Sequence, residues 1–346
     1  MKKKKSILII RIALAVGTIV SMFFVPWILV RLLITPIPDT VQEQMNDAVN
    51  EYGFDGMIVY VDEAGREPAF YAAGWKDREN KIPADPHALF KIASVGKLYE
   101  AVAITKLVRN GSLSLDSTLA FYMPELVGRI ENADKITLRM MVEHRSGIPN
   151  FTNTSNFWID PPKNSKEALE RVFDLPASFE PGEGYEYSNT NYLLISEIIE
   201  RVSGLSNFQY IREKILDRLG LTHTFGSIHD VNMDDVMSGY YVGVSEDIKA
   251  VDYGSMVATA EDVGIFLRAL NDGSLFDEGE QDIYSSIYKY GHTGLIPGYQ
   301  SIAKYHKDID AVVIQFVNTT NFDGYEWSLA EIVYRRIVKI VRKSLP

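Results

Sequence analysis

Ser94 and Lys97 stand three residues apart at the start of a stretch that reads as a helix, Ser94 to Arg109. Residues i and i+3 share one helical face, so the lysine amine can reach the serine hydroxyl. An alkyl hydroxyl is a poor nucleophile until a base takes its proton. Lysine can serve as that base when burial or a neighbouring cation lowers its pKa. The Ser-x-x-Lys pair alone is a weak signal, because it recurs at Ser286/Lys289 and Ser301/Lys304. Ser301 falls in a predicted strand, where i and i+3 point to opposite faces. Ser286 falls at the edge of another and is set aside for the same reason. Ser94 alone opens a helix, where the first backbone N–H groups are free to hold an oxyanion.

Two distant segments could complete such a site. Tyr187-Ser188-Asn189 is the one Tyr-x-Asn in the chain, on a loop before a helix that begins near Asn191. His292-Thr293-Gly294 ends a predicted strand, with Leu295 next and Pro297-Gly298-Tyr299 just beyond. Other chemistries lack their residues. There is no Gly-x-Ser-x-Gly, Gly-x-Gly-x-x-Gly, phosphate loop or His-Glu-x-x-His. The six histidines are scattered without metal spacing, so neither metal nor cofactor is expected.

The elements that must hold these residues follow from hydrophobic periodicity. Asp39 to Tyr52 reads as a helix. Gly56 to Val61 and Pro68 to Trp75 read as a hairpin. Residues 112–240 are mostly helix and loop, and 249–271 give another helix. Ile287 to His292, Gln300 to His306 and Ile309 to Val317 read as consecutive strands. The last of them, AVVIQFV, is apolar enough to be buried on both faces. Glu326 to Val341 closes the chain as an amphipathic helix. Strands at both ends and helices between them predict an α/β (α+β) body. One antiparallel sheet is flanked by helices, with a mostly helical insertion at roughly 116–240 and the site in the cleft between.

Taken in order, the three motifs resemble the serine β-lactamase and penicillin-binding superfamily, in its class C β-lactamase, D-alanyl-D-alanine carboxypeptidase and serine esterase branch. The flanking residues match too: Phe90-Lys-Ile-Ala-Ser-Val-Gly-Lys97, Gly111-Ser-Leu-Ser-Leu-Asp116, Ile136-Thr-Leu-Arg139, His144-Arg-Ser-Gly-Ile-Pro149, Pro181-Gly182 and Gly291-His-Thr-Gly294. The resemblance covers roughly residues 40–340. It implies a β-lactamase/transpeptidase-like fold. It further implies acylation of Ser94, with Lys97 and Tyr187 sharing its proton and either one serving as base. Asn189 would bind Lys97 and the substrate amide, the N–H groups of Ser94 and Leu295 would hold the oxyanion, and His292 and Thr293 would help bind an acidic substrate group. The implied substrates are D-alanyl peptides, β-lactams, or small esters and amides. The alternative from another class is a retired hydrolase scaffold kept as a binding or sensing module.

Two departures bear on specificity. His292 stands where many relatives have lysine. Because histidine loses its charge near neutral pH, KM for an anionic substrate is expected to rise above about pH 6.5. Leu295 replaces a common glycine, which narrows the cleft without removing the backbone donor. His144 and Arg145 match the family text but read as structural.

Cysteine is absent from the 346 residues, which removes thiol catalysis and disulfides. The formal charge is -11, with +6 on residues 1–35 and -17 on the remainder. An acidic body disfavours nucleic acid as a partner. Lys2 to Lys5 precede a long apolar run, and residues 12–30 carry no charge. At about 1.5 Å per residue that run reaches roughly 30 Å, enough for one transmembrane helix. It is longer than a signal-peptide core, and no small-x-small cleavage site follows it. Residues 1–35 therefore read as a cytoplasmic stub and single-pass anchor in the cell membrane. Residues 36–346 read as an extracellular hydrolase domain.

Overall fold

The computed structural model describes residues 11–344, apart from 13 and 15. Lys2 to Lys5 lie outside the described residues. The body is built on a six-stranded sheet in which every neighbouring pair is antiparallel. Its strands are β1 (Gly56–Glu63), β2 (Ala69–Asp77), β3 (Ile82–Pro83), β4 (His292–Ile296), β5 (Tyr299–His306) and β6 (Ala311–Val317), in the order β3-β2-β1-β6-β5-β4. The two ends of the chain thus meet in the middle of one sheet, where Met57 pairs with Val317 and Glu63 with Ala311.

Strand alternation sorts the apolar side chains into two cores. Met57, Val59, Val61, Val313 and Val317 face one layer. That layer contains helix α2 (Val41–Tyr52) and the closing helix α7 (Glu326–Lys343). Ile58, Tyr60, Val312, Ile314 and Phe316 face the other. There they meet α3 (Gly96–Arg109), α4 (Asn189–Ser203) and α5 (Ala260–Asp272). All seven residues of β6 are buried, as a strand covered on both faces requires. On α7, Leu329, Val333, Ile337 and Ile340 lie along one face and are buried. Each contributes about 1.5–3 kcal/mol relative to exposure.

Three sequence expectations change here. Helix α5 starts at Ala260, not near 249, because Thr259 caps it by accepting the Asp262 N–H at 3.2 Å. Val257–Ala258 form a short strand with Phe90–Lys91. Residues 280–287 are helix α6 (Glu280–Ile287), so Ser286 is helical rather than at a strand edge. Burial of Tyr284, whose hydroxyl donates to Lys289 O (2.7 Å), and the buried Lys106–Glu280 pair (2.8 Å) fix that helix. As a result, His292-Thr293-Gly294 opens strand β4 instead of ending one.

The amino-terminal expectation also changes. Among the described residues no single helix is long and apolar enough to cross a membrane. Val16–Met22 and α1 (Trp27–Ile34) pass that test only as a pair bent by 79°. Pro26 sits at the break and cannot donate a helical hydrogen bond. Helix α1 is tied to the body by Arg336 of α7, a buried guanidinium that donates to Leu32 O (2.9 Å), Thr35 O (2.7 Å) and Pro36 O (2.7 Å).

Candidate active site

Ser94 lies in a single 3₁₀ turn, Ala93–Val95, that runs straight into α3. The turn is held from several sides. Ile92 N donates to Met256 O at 3.0 Å, Ala93 N donates to Ser255 Oγ at 2.9 Å, and Ser301 Oγ donates to Ile92 O at 2.9 Å. Ala93 adopts φ +49°, a left-handed conformation that costs a non-glycine residue about 1–2 kcal/mol. Those hydrogen bonds offset the strain and aim the Ser94 side chain out of the turn.

Edge strand β4 packs directly on this turn. Gly294 permits the approach, because a Cβ there would stand 2.5 Å from Ile92 O and 2.9 Å from Ala93 Cβ. The two-residue turn Pro297-Gly298 makes Ile296 and Tyr299 the first cross-strand pair. From that pair, hydrogen-bonded positions alternate along the strand. Gly294 N–H therefore points at β5, while the Thr293 and Leu295 N–H groups point off the free edge, the edge that meets the Ser94 turn. The Thr293 and Leu295 side chains are half-buried.

Lys97, buried at the second position of α3, brings its Nζ to 3.2 Å from Ser94 Oγ. It also donates to Asn189 Oδ1 at 2.8 Å. Its charge lies 5.1 Å from the ring centre of Tyr187 and 5.2 Å from that of Tyr192. From the other side, Tyr187 OH reaches Ser94 Oγ at 2.7 Å. A hydroxyl, an amine and a phenol from positions 94, 97 and 187 thus share one hydrogen-bonded cluster, anchored by Asn189.

The sequence missed what holds Tyr187 and Asn189 in place. Asn150 Oδ1 accepts the Asn189 N–H at 3.0 Å, and Asn189 Nδ2 donates to Thr152 Oγ1 at 3.2 Å. His144 Nδ1 accepts the Ser188 N–H at 3.2 Å, and its ring packs 4.3 Å from the Tyr187 ring. His144, read from sequence as structural, is therefore a positioning residue for Tyr187. Nothing local in the sequence signals these contacts, which span 37 to 44 residues.

His292 differs from its sequence reading. It is buried, its ring lies 6.0 Å from Tyr288 and nearly parallel to it, and its centre is 6.4 Å from that of Tyr187. Nδ1 faces Thr293 O, and Nε2 has no partner among the described residues. Burial, reinforced by the Lys289 charge, pushes its pKa down to about 3. His292 is thus neutral throughout the working range, and the rise in KM near pH 6.5 is withdrawn as an expectation. Tight packing, absent from any sequence pattern, is the reason.

This burial has a consequence for stability. His144 is also pushed down to about 3, by burial and then by the charges of Lys97 and Lys289, and burial lowers His306 as well. The unfolded chain takes up these protons near pH 6.5; the folded chain takes those of His144 and His292 only well below it, and that of His306 at a lower pH than the unfolded chain. Their contribution is complete above about pH 6.5 and is lost as pH falls toward the folded values. Glu100 opposes them. Burial pushes it up to about 7, against the Lys97 charge and the Asn207 hydrogen bond, so the folded state gains one proton there. Burial also raises Glu197 and Asp262, on the side of Glu100, but the whole protons that His144 and His292 refuse, with part of another at His306, outweigh them. Stability should fall between pH 7 and pH 5 by about 1.4 kcal/mol per pH unit for each net proton, and the thermal midpoint with it. Melting curves of wild type and His292→Gln check this: the variant should show a shallower slope, and equal flat slopes would contradict the buried neutral state.

Comparison with known proteins agrees with this architecture. The beta-lactamase family model matches residues 37–286. Protein flp of Staphylococcus aureus (strain NCTC 8325 / PS 47) is 26% identical over 231 residues, 64% of this chain and 45% of that protein. The chain thus spans less than half the length of that relative. PbpX of Bacillus subtilis (strain 168) is 27% identical over 305 residues, 81% of this chain and 74% of that protein. Among solved structures, the D-amino acid amidase of Ochrobactrum anthropi SV3 superimposes with a TM-score of 0.77 at 24% identity, covering 88% of this chain and 98% of that one. A penicillin binding protein of Bacillus halodurans gives 0.73 at 22%, covering 87% and 99%. At that identity the superpositions speak for the fold.

Proposed function

This chain belongs to the beta-lactamase family of serine hydrolases, and on that premise we propose that it acts through an acyl-enzyme on Ser94. The observation that carries the proposal is the pair of contacts on Ser94 Oγ, from Tyr187 OH at 2.7 Å and Lys97 Nζ at 3.2 Å. In the proposed cycle Oγ attacks the substrate carbonyl as its proton leaves toward Tyr187. Tyr187 has the shorter contact and takes the proton as its phenolate, becoming the neutral phenol, with the Lys97 ammonium held against its ring by Asn189 as the counter-charge. The tetrahedral oxygen is held by the Ser94 and Leu295 N–H groups. The proton then passes to the leaving group, and water, activated by the same pair, releases the acyl group and restores Ser94.

The substrate class is an amide, strained amide or ester with a carbonyl that the cleft can admit: D-alanyl peptides, β-lactams, or small esters and amides. The relatives' names, which mention D-amino acid amides and penicillin, support that range. A fluorescent penicillin and a fluorophosphonate test it. Labelling of wild type by either supports an active serine nucleophile, and silence with both favours the alternative, a retired binding module.

We also place the body at the outer face of the cytoplasmic membrane, held by residues 12–30. Supporting this, Phe23 and Phe24 are exposed and Trp27 stands at the bend, a residue suited to the membrane interface. Pelleting with membranes after alkaline carbonate washing is the expected result, and release by carbonate would contradict it.

A further inference from the structure

Helix α1 is apolar toward the body and apolar away from it. Leu32 is fully buried and Leu29 half-buried in the core shared with α2 and α7. Trp27, Ile28, Leu33 and Ile34 stay exposed, and Arg31 is the one charged residue of the helix. A helix on the surface of a water-soluble body carries polar residues on its outer side. Here the outer side is apolar, and the apolar surface continues through the exposed Phe24 and Phe23 into Val16–Met22.

This surface is not free to swing. Arg336 of α7 donates to Leu32 O, Thr35 O and Pro36 O at the end of α1, and its Nε donates to Gln44 Oε1 of α2. Arg31 pairs with Glu51, near the far end of α2. Charged groups are costly in hydrocarbon. Arg336, Arg31 and Glu51 therefore keep α1 out of the bilayer centre, while its exposed side chains suit the headgroup boundary. The bend between Val16–Met22 and α1 is 79°. A helix turned that far from one that enters the bilayer runs close to the membrane plane.

The sheet sets which side of the body meets the lipid. Leu29 and Leu32 belong to the core between the sheet and the α2 and α7 layer. Val95 and Leu98, beside Ser94 and Lys97, belong to the core on the opposite face. We infer that α1 lies in the bilayer interface with its apolar side on lipid, held fast to the body, so that the Ser94 cleft opens away from the membrane. Substrates then arrive from the aqueous phase rather than from within the bilayer. This rests on the membrane anchoring proposed above and adds the docking surface and the orientation.

The chain has no cysteine, so single-cysteine variants carry a nitroxide spin label at one chosen site. Full-length chain with Ile28→Cys or Ile34→Cys is reconstituted in vesicles of phosphatidylcholine and phosphatidylglycerol. Tyr185→Cys, at an exposed residue close ahead of Tyr187, reports on the cleft side. Labels at 28 and 34 should meet oxygen several-fold more readily than a water-soluble nickel chelate, and the label at 185 should show the reverse. A doubly labelled chain, at 34 and 185, should give one narrow distance distribution. A broad distribution would show a flexible tether and overturn the inference. So would water-exposed labels at 28 and 34, or a lipid-exposed label at 185. Exclusion of both probes at 28 and 34 would mean that a second copy of the chain covers this face, and would overturn it too. Release of the chain by alkaline carbonate would instead remove the anchoring reading itself.

Discussion

Ser94→Ala should lower turnover of any accepted ester or amide by about 10⁴-fold or more and abolish covalent labelling. In a nucleophilic mechanism the serine oxygen forms the bond that divides one hard step into two. Without it, what survives is binding and the oxyanion donors, which leave only a small residual acceleration. The substitution is also structurally mild. Ser94 Oγ is hydrogen-bonded to Tyr187 OH and Lys97 Nζ, and among the described residues it makes no bond to a backbone carbonyl. The turn around it is held by Ile92, Ala93 and Ser301. The thermal midpoint should therefore move little while activity disappears. A variant retaining more than about a hundredth of wild-type turnover would place the nucleophile elsewhere.

The second large effect is expected at the proton-sharing pair. Lys97→Met should reduce kcat by about 10³-fold, within the range for removing a positioned acid–base group. It deletes both the contact to Ser94 and the charge beside Tyr187, and it leaves Asn189 Oδ1 without its donor. Tyr187→Phe keeps the ring that packs on His144 at 4.3 Å and removes only the hydroxyl. It should cost about 10²-fold or more in kcat with little change in KM, because the lost contact serves proton transfer rather than ground-state binding. Retention of activity within about threefold in Tyr187→Phe would leave Lys97 as the base. Pre-steady-state acylation rates, measured for both variants, separate these outcomes.

Much of this was legible in the sequence, for physical reasons. The apolar runs GMIVYV and AVVIQFV marked two central strands of the sheet. The helical spacing of Ser94 and Lys97 placed amine and hydroxyl together. Other features depend on tertiary contacts. Residues 280–287, rich in Tyr, Ser and Ile, are helical because Tyr284 is buried and Glu280 pairs with Lys106 across the core. The neutrality of His292 comes from its packing beside Tyr288 and Tyr187. The roles of His144, Asn150 and Thr152 come from contacts to residues some forty positions away. The bend at Pro26 converts one uninterrupted apolar run into two segments.

The most direct measurement is the intact mass of the protein after brief exposure to a penicillin, followed by peptide mapping. The account predicts a gain equal to one whole β-lactam, carried by the peptide that contains Ser94 and missing from Ser94→Ala. An adduct on any other residue, or an unmodified mass together with no turnover of esters or amides, would contradict it.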